Sequence, residues 1–341
     1  MNEKDIVLSV KNLNTSFISD RKEIKIVKNV SLDLKRATTL AIVGESGCGK
    51  SVTVHSIVKL MPKNARVKAD YILYNQKRGD KITEFDLSKL EPYGKEMRAL
   101  RGPDIGMVFQ DPMSSLNPVY KVGDQVAEGL LEHNPKMSKE EAKEQVLAMF
   151  RELGIPDPEN RINDFPYQFS GGMKQRVVIA LAMICNPEII IADEPTTALD
   201  VTIQAQIMEL MKSLQTEKNK SIILITHNMG LVAEMADEVC VMYMGRIVEF
   251  GTLEHIFNNP SHPYTKALLR SVPVLGMEEG RLLETIPGIT PNPAELKEGC
   301  EFADRCPDCR DECRKGTIPA FEVEPGHKVR CLNFNSFKEV D

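Results

Sequence analysis

The sequence predicts an α/β protein built on a parallel sheet, with a small cysteine-rich module at its C-terminal end. Three observations predict this. Short apolar runs, TLAIV (39–43), EIIIAD (188–193) and SIILIT (221–226), alternate with helical stretches. One of them opens into GESGCGKS (Gly44–Ser51), a glycine-rich turn ahead of a helical pattern. Four cysteines crowd into GCEFADRCPDCRDEC (299–313) and a fifth follows at Cys331.

The elements can be justified in order. IVLSVKNL (6–13) and IKIVKNVSLDL (24–34) alternate apolar and polar residues, as half-buried strands of an antiparallel element do. TLAIV reads as a buried strand. SVTVHSIVKLM, after Lys50, has helical spacing, and Pro62 marks its expected end. Residues 63–104 read as charged and irregular around a strand-like YILY (71–74). SKEEAKEQVLAMFREL (138–153) is an amphipathic helix that Ser138 caps, with Glu141 completing a capping box. A helix over about 172–185, the strand 188–193, a helix near 202–217 and the strand 221–226 follow, implying a parallel sheet covered on both faces. Prolines multiply after 250, so 251–295 reads as a helical and irregular connector and 296–341 as the cysteine module.

Composition sets the bounds. At 341 residues, 42% hydrophobic and 27% charged, the chain can bury a sizeable core without staples. A net charge of -6 gives no basic footprint for nucleic acid. The N-terminal MNEKDIVLSVKNL lacks the apolar core of a secretory signal, and the longest apolar run (177–185) is far short of the roughly 20 residues a span needs. The expectation is a cytosolic chain whose membrane contact is peripheral. In a reducing compartment clustered cysteines point to metal rather than disulfides. Spacing alone leaves zinc, with Cys306-x-x-Cys309 and His327, and a four-thiolate iron–sulfur site both open.

The chemistry concentrates in a phosphate-binding constellation. In GESGCGKS, between strand and helix, the glycines let backbone N–H groups converge on phosphate oxygens, and the helix N-terminus adds positive charge. Lys50 is placed to reach β- and γ-phosphates and Ser51 to give Mg²⁺ an oxygen. Asp193, ending an apolar strand, suits Mg²⁺ through its water, and Glu194 suits the attacking water. Ser170, Gly171 and Gly172 open a second helix fit for phosphate, which is redundant within one chain and serves a nucleotide held by another. His227, just past a strand, reads as a γ-phosphate sensor.

These motifs, in this order, resemble the ATP-binding subunit of an ABC transporter over roughly residues 6–250. GESGCGKS resembles the Walker A loop, IIIADE Walker B with its catalytic glutamate, FSGGM the signature, Ala198–Asp200 the D-loop and His227 the switch histidine. The resemblance implies an ABC-type P-loop NTPase fold with a helical subdomain over about 111–185. It implies ATP on Gly44, Glu45, Ser46, Gly47, Cys48, Gly49, Lys50, Ser51 and Val52, with Phe17 stacking on adenine. Mg²⁺ would then sit on Ser51, Gln110 and Asp193, catalysis on Glu194, His227 and Lys50, and the signature would act in trans. Met173 stands where the signature commonly has glutamine.

DPMSSLNP (111–118) and NPSHPYTKALLRSVP (259–273) narrow the resemblance to dipeptide and oligopeptide importers, and GKSVT, GMKQR and TIQAQI to their D-type subunit. The implied division is 1–250 as ATPase and 251–341 as extension. Implied partners are a second related ATPase in a heterodimer, two transmembrane permease subunits and an external peptide-binding protein, with no nucleic acid. The extension's G-C-x-F-x-x-R-C, later Cys and H-x-V-x-C imply a [4Fe–4S] cluster on Cys300, Cys306, Cys313 and Cys331, with zinc as the alternative and Cys309 spare. Competing functions are import of nickel or another solute, a soluble ABC ATPase working on nucleic acid or ribosomes, and a non-enzymatic metal-binding regulator.

Overall fold

The computed structural model describes residues 5–19, 22–197, 199–271 and 286–340. Ala198 of the expected D-loop and residues 272–285 of the expected connector lie outside the described residues. Chain order runs β1 (Ile6–Ser19), β2 (Lys22–Lys35), β3 (Thr39–Val43), α1 (Lys50–Ile57), β4 (Ala65–Lys68), β5 (Tyr71–Arg78), β6 (Lys81–Asp86), α2 (Lys95–Leu100), β7 (Ile105–Val108), α3 (Pro112–Ser115), α4 (Val122–His133), α5 (Lys139–Glu152), α6 (Pro158–Arg161) and α7 (Gly171–Met183). It continues through β8 (Ile189–Asp193), α8 (Val201–Thr216), β9 (Ser221–Thr226), α9 (Met229–Met235), β10 (Glu238–Tyr243), β11 (Arg246–Thr252), α10 (Leu253–Asn258), α11 (Pro263–Arg270), β12 (Ala320–Glu324), β13 (His327–Val329) and β14 (Lys338–Val340). The chain forms two compact units. Unit one is 1–8, 34–39 and 74–225; unit two is 9–33, 40–73 and 226–341.

In unit one, β7, β8 and β9 are parallel, with Ile105 opposite Ile189 and Ile189 opposite Ser221. Every residue of β8 and β9 is buried. Both faces are covered, which is why these strands read as unbroken apolar runs rather than as alternating ones. Helices α3, α4, α5 and α7 fall between residues 112 and 183 and pack on one another. The capping box on α5 forms as expected: Ser138 N–H donates to Glu141 Oε2 at 2.8 Å and Glu141 N–H to Ser138 Oγ at 3.1 Å. Helix α4 had no counterpart in the sequence reading, because Gly123 and Gly129 interrupt its pattern. A Cβ on Gly123 would meet Ile162 Cγ1 at 2.2 Å, so that glycine marks a close approach rather than a break.

A buried carboxylate ties unit one together. Asp104 Oδ1 accepts from Tyr74 Oη at 2.9 Å, Gln76 Nε2 at 2.8 Å and Arg78 Nη2 at 2.7 Å, while its carbonyl takes the N–H groups of Glu188 and Ile189. Burial and the neighbouring Asp104 charge push the Tyr74 phenol well above its ordinary range. The stretch 63–104 is more regular than its polarity announces. Strands β4 and β6 are short and only half-buried, so the two-residue alternation is hidden among charges. Helix α1 stops at Ile57, five residues before Pro62. Lys59 adopts φ 55°, and Lys59 and Leu60 N–H return to the Ser56 and His55 carbonyls, a left-handed C-terminal cap.

Unit two carries β3 parallel to β10, then β11, β13, β12 and β14, all antiparallel to their neighbours. Strand β4 pairs antiparallel with β1, Phe17 facing Ala65. One core spans much of this unit, with Val43, Val232, Val241, Tyr243, Tyr264 and Phe302 among its members. Tyr243, Tyr264 and Phe302 have ring centroids 4.7–5.4 Å apart in tilted and edge-on arrangements. The cysteine module therefore contributes Phe302 to a core it shares with β3 and β10.

Glu249 is fully buried on β11. It accepts from Ser261 N–H at 2.7 Å, His262 N–H at 2.8 Å and His327 Nε2 at 2.8 Å. His262 caps α11, its Nδ1 accepting from Tyr264 N–H at 3.0 Å. Burial, opposed by the Glu249 charge, pulls the His262 pKa down to about 4. The neutral ring is the folded form, so its contribution is complete above about pH 6.5 and is lost as pH falls toward 4. Thermal unfolding followed between pH 7.5 and 4.5 should show about 2–4 kcal/mol of acid-side loss that His262→Asn, which keeps an acceptor at the cap, largely removes. An identical pH slope in the variant would refute this linkage.

Candidate functional site

Unit two holds the phosphate loop, Phe17 and His227; unit one holds Gln110, Ser170–Gly172, Asp193 and Glu194. The loop leaves β3 at Gly44, with φ 149°, where a Cβ would lie 2.2 Å from the Met242 carbonyl oxygen. Gly47 and Gly49 take φ 80° and 101°, a region side chains rarely adopt. Gly49 packs on Ile26, and Cys48 accepts the Gly245 N–H at 2.8 Å. Lys50 opens α1, is 4% exposed, and its Nζ bonds the Gly44 and Glu45 carbonyls at 2.8 and 3.1 Å. The ammonium is thus held over the loop's own backbone, where a phosphate would compete for it. Burial raises the Cys48 thiol pKa, so this cysteine is a packing residue of the loop.

In unit one, Asp193 ends β8 and is buried. Glu194 does not simply alternate to the opposite face, as strand geometry alone implies. Its φ is 46°, so the backbone turns there, and its N–H donates to Ile225 O at 2.9 Å. A non-glycine residue held in this region costs about 1–3 kcal/mol and clusters at functional sites. The Glu194 Oε2 accepts from Gln110 Nε2 at 3.0 Å and Thr197 Oγ1 at 3.0 Å. The structure therefore brings Gln110 to Glu194, and adds Thr197, which sequence reasoning missed. Its only sequence signal is its place three residues after Glu194 on the same turn.

The signature residues start α7. Ser170 is its N-cap, and its Oγ accepts from Met173 N–H at 3.3 Å, so Met173 serves through its backbone. A Cβ on Gly172 would lie 2.7 Å from Ile203 Cγ2 of α8. His227 is exposed, one residue past β9.

All eight cysteines are free thiols. Cys300, Cys306, Cys309, Cys313 and Cys331 line one small cavity with Asp308, Ile318 and Leu332. Cys309 lines the same cavity as the other four. Burial first, then nearby acidic groups and thiols, push Cys300 up to about 12 and Cys306 up to about 11. A cation among them would reverse that, since it favours thiolates. Among the described residues no three His, Cys, Asp or Glu stand as a formed metal-binding group. His327, the histidine that spacing allows for zinc, has its Nε2 on Glu249 and is not on that lining.

The profile of the ABC transporter family matches residues 27–197. The Dipeptide transport ATP-binding protein DppD of Bacillus subtilis is 51% identical over 95% of this chain and 91% of its own length. This chain belongs to the ATP-binding proteins of ABC transporters. It is an ABC ATPase of the oligopeptide/dipeptide transporter branch, whose C-terminal region profile matches residues 248–313. The DppD protein of Lactococcus lactis subsp. cremoris is 48% identical over 94% of this chain and 89% of its own. The OppD protein of Bacillus subtilis, an oligopeptide transport ATP-binding protein, is 48% identical over 95% and 88%. Among solved structures, the dimeric post-hydrolysis state of the ATP-binding cassette MJ0796 bound to ADP and Pi superposes with TM-score 0.61. It is 28% identical and covers 72% of this chain and 98% of its own.

Gly44→Ala should destabilise the ABC ATPase by at least about 1–3 kcal/mol, because the added carbon meets backbone and the φ is strained. Thermal denaturation and nucleotide titration check it: both the melting temperature and the affinity fall, and an unchanged melting temperature would show the clash to be relieved elsewhere.

Proposed function

We propose that this chain is the ATP-hydrolysing subunit that powers uptake of dipeptides and oligopeptides across the cytoplasmic membrane. The observation that carries the reading is that the full hydrolysis motif set and the oligopeptide-type C-terminal region occur on one chain. The names of its relatives support the peptide substrate. Residues 1–250 are the ATPase domain and 251–341 the extension. Two transmembrane permease subunits, a second related ATPase and an external peptide-binding protein complete the transporter. Among the described residues no helix is long and apolar enough to cross a membrane, which accords with a peripheral place on its cytoplasmic side.

The roles follow from charge and position. The loop 44–52 and Lys50 bind the phosphates of ATP, with Phe17 on the adenine. Ser51, Asp193 and Gln110 would hold Mg²⁺, which would supply charge to offset that of the γ-phosphate. Glu194, pinned by Gln110 and Thr197, takes the proton of the attacking water, and His227 braces the γ-phosphate. Ser170, Gly171 and Gly172 complete the partner ATPase's nucleotide. Binding then joins the two ATPases and hydrolysis releases them, a ligand-driven population shift.

We propose a [4Fe–4S] cluster on Cys300, Cys306, Cys313 and Cys331, with zinc as the alternative. Five cysteine sulfurs share one lining, and four of them, once deprotonated, are the donor set such a cluster takes. The cluster would brace a module with little core of its own.

Glu194→Gln should keep Mg²⁺–ATP binding and lower steady-state hydrolysis by about 100-fold or more; turnover near the parental rate would remove Glu194 from the role of base. Anaerobic purification should yield a brown protein with broad visible absorption and iron by elemental analysis, whereas a colourless zinc protein would exclude the cluster.

A further inference from the structure

The C-terminal extension grips the phosphate loop at one residue, through two separate contacts. Glu45 is the second residue of Gly44–Ser51. Its backbone N–H donates to Tyr264 Oη at 2.8 Å. Its carboxylate receives a parallel fork from Arg305: Nη1 to Oε2 at 2.6 Å and Nη2 to Oε1 at 3.0 Å. The Arg305 side chain is only 6% exposed. Its remaining donors are placed too, Nε on the Pro287 carbonyl at 2.7 Å and Nη1 also on Tyr243 Oη at 3.2 Å. The guanidinium stands about 5.8 Å from the Tyr243 ring and 5.9 Å from Phe302. A bidentate, half-desolvated pair of this kind is directional, unlike an exposed ion pair.

The charge of the pair is what makes it more than a fold contact. A free carboxylate at the second position of a loop that receives a triphosphate repels the ligand. Arg305 neutralises that carboxylate and fixes its direction, while Tyr264 fixes the peptide that carries it. Arg305 immediately precedes Cys306, and Cys300, Phe302 and Arg305 share one short turn of chain. The cysteine cavity and Glu45 are thus joined by adjacent residues and a forked ion pair.

We propose that Arg305, supported by Tyr264, is a positioning residue of the nucleotide site, so that the cysteine module sets the affinity of the phosphate loop for ATP. This rests on the reading of residues 44–51 as the ATP-binding loop. The distinction from a purely structural bridge is electrostatic. Removing one partner of a buried pair leaves an unpaired charge, so the melting temperature recovers in the double variant under either role. The two roles part in the nucleotide affinity of the fully folded proteins. Where Arg305 screens Glu45 from phosphate, neutralising Glu45 repairs the loss of Arg305.

The test is isothermal titration of the full chain with Mg²⁺–AMP-PNP, with melting temperatures recorded alongside. Arg305→Ala should weaken binding about tenfold and raise KM for ATP with little change in kcat. Arg305→Lys should recover part of the loss, since it restores charge without the fork. Adding Glu45→Gln to Arg305→Ala should bring affinity back to within about threefold of the parent. An Arg305→Ala protein that binds normally, or one that Glu45→Gln does not rescue, overturns the proposal. If Arg305→Ala does not fold, Tyr264→Phe, which removes one hydroxyl, should still weaken binding at least twofold, and normal binding there overturns it as well. Lys50→Ala separates the two readings: its loss of binding beside an unaffected Arg305→Ala refutes only the latch, whereas retained binding refutes the loop assignment and the latch together.

Discussion

The backbone at Gly44 has no room for a side chain, and much of unit two is arranged around that fact. The loop must leave β3 beneath the Met242 carbonyl, curl through two more left-handed glycines and deliver Lys50 to the start of α1. Each neighbour that makes the curl possible is itself fixed by backbone: Cys48 by Gly245, and Gly245 by Lys28. A loop with so few contacts of its own side chains holds shape only if its surroundings hold it. That explains why the strand on one side and the extension's Tyr264 and Arg305 on the other both attach to it.

Buried carboxylates serve each unit as organisers. Asp104 collects three side-chain donors and its carbonyl two N–H groups; Glu249 collects two backbone N–H groups and a histidine. Neither is left without hydrogen-bond donors in a dry interior, where desolvation would be severe.

What the residues revealed in advance depended on whether the signal was local. Buried strands such as IIIAD and SIILIT, the Ser138 capping box and the glycine loop carry their physics in adjacent residues, and each stands where it was expected. Polar edge strands β4 and β6 were hidden because their exposed residues are charged. Helix α4 was hidden because Gly123 serves a packing contact with Ile162, thirty-nine residues away. At the site, Gln110 and Glu194 were legible as motif members, but the left-handed turn at Glu194 and the bond from Thr197 were not. Arg305 lay in plain sight inside the cysteine pattern. Its partner is 260 positions upstream, and no periodicity reports a contact at that separation.

The pairing of β13 with β11 has a consequence for the chain's lifetime in the cell. Val329 and Lys328 satisfy the flank of Glu249 and Phe250, so the extension closes what is otherwise a bare ribbon border. A fragment cut after β11 would present that border, and the face of Tyr243 that Tyr264 and Phe302 cover, to any other copy it met. Clumping would end such a fragment.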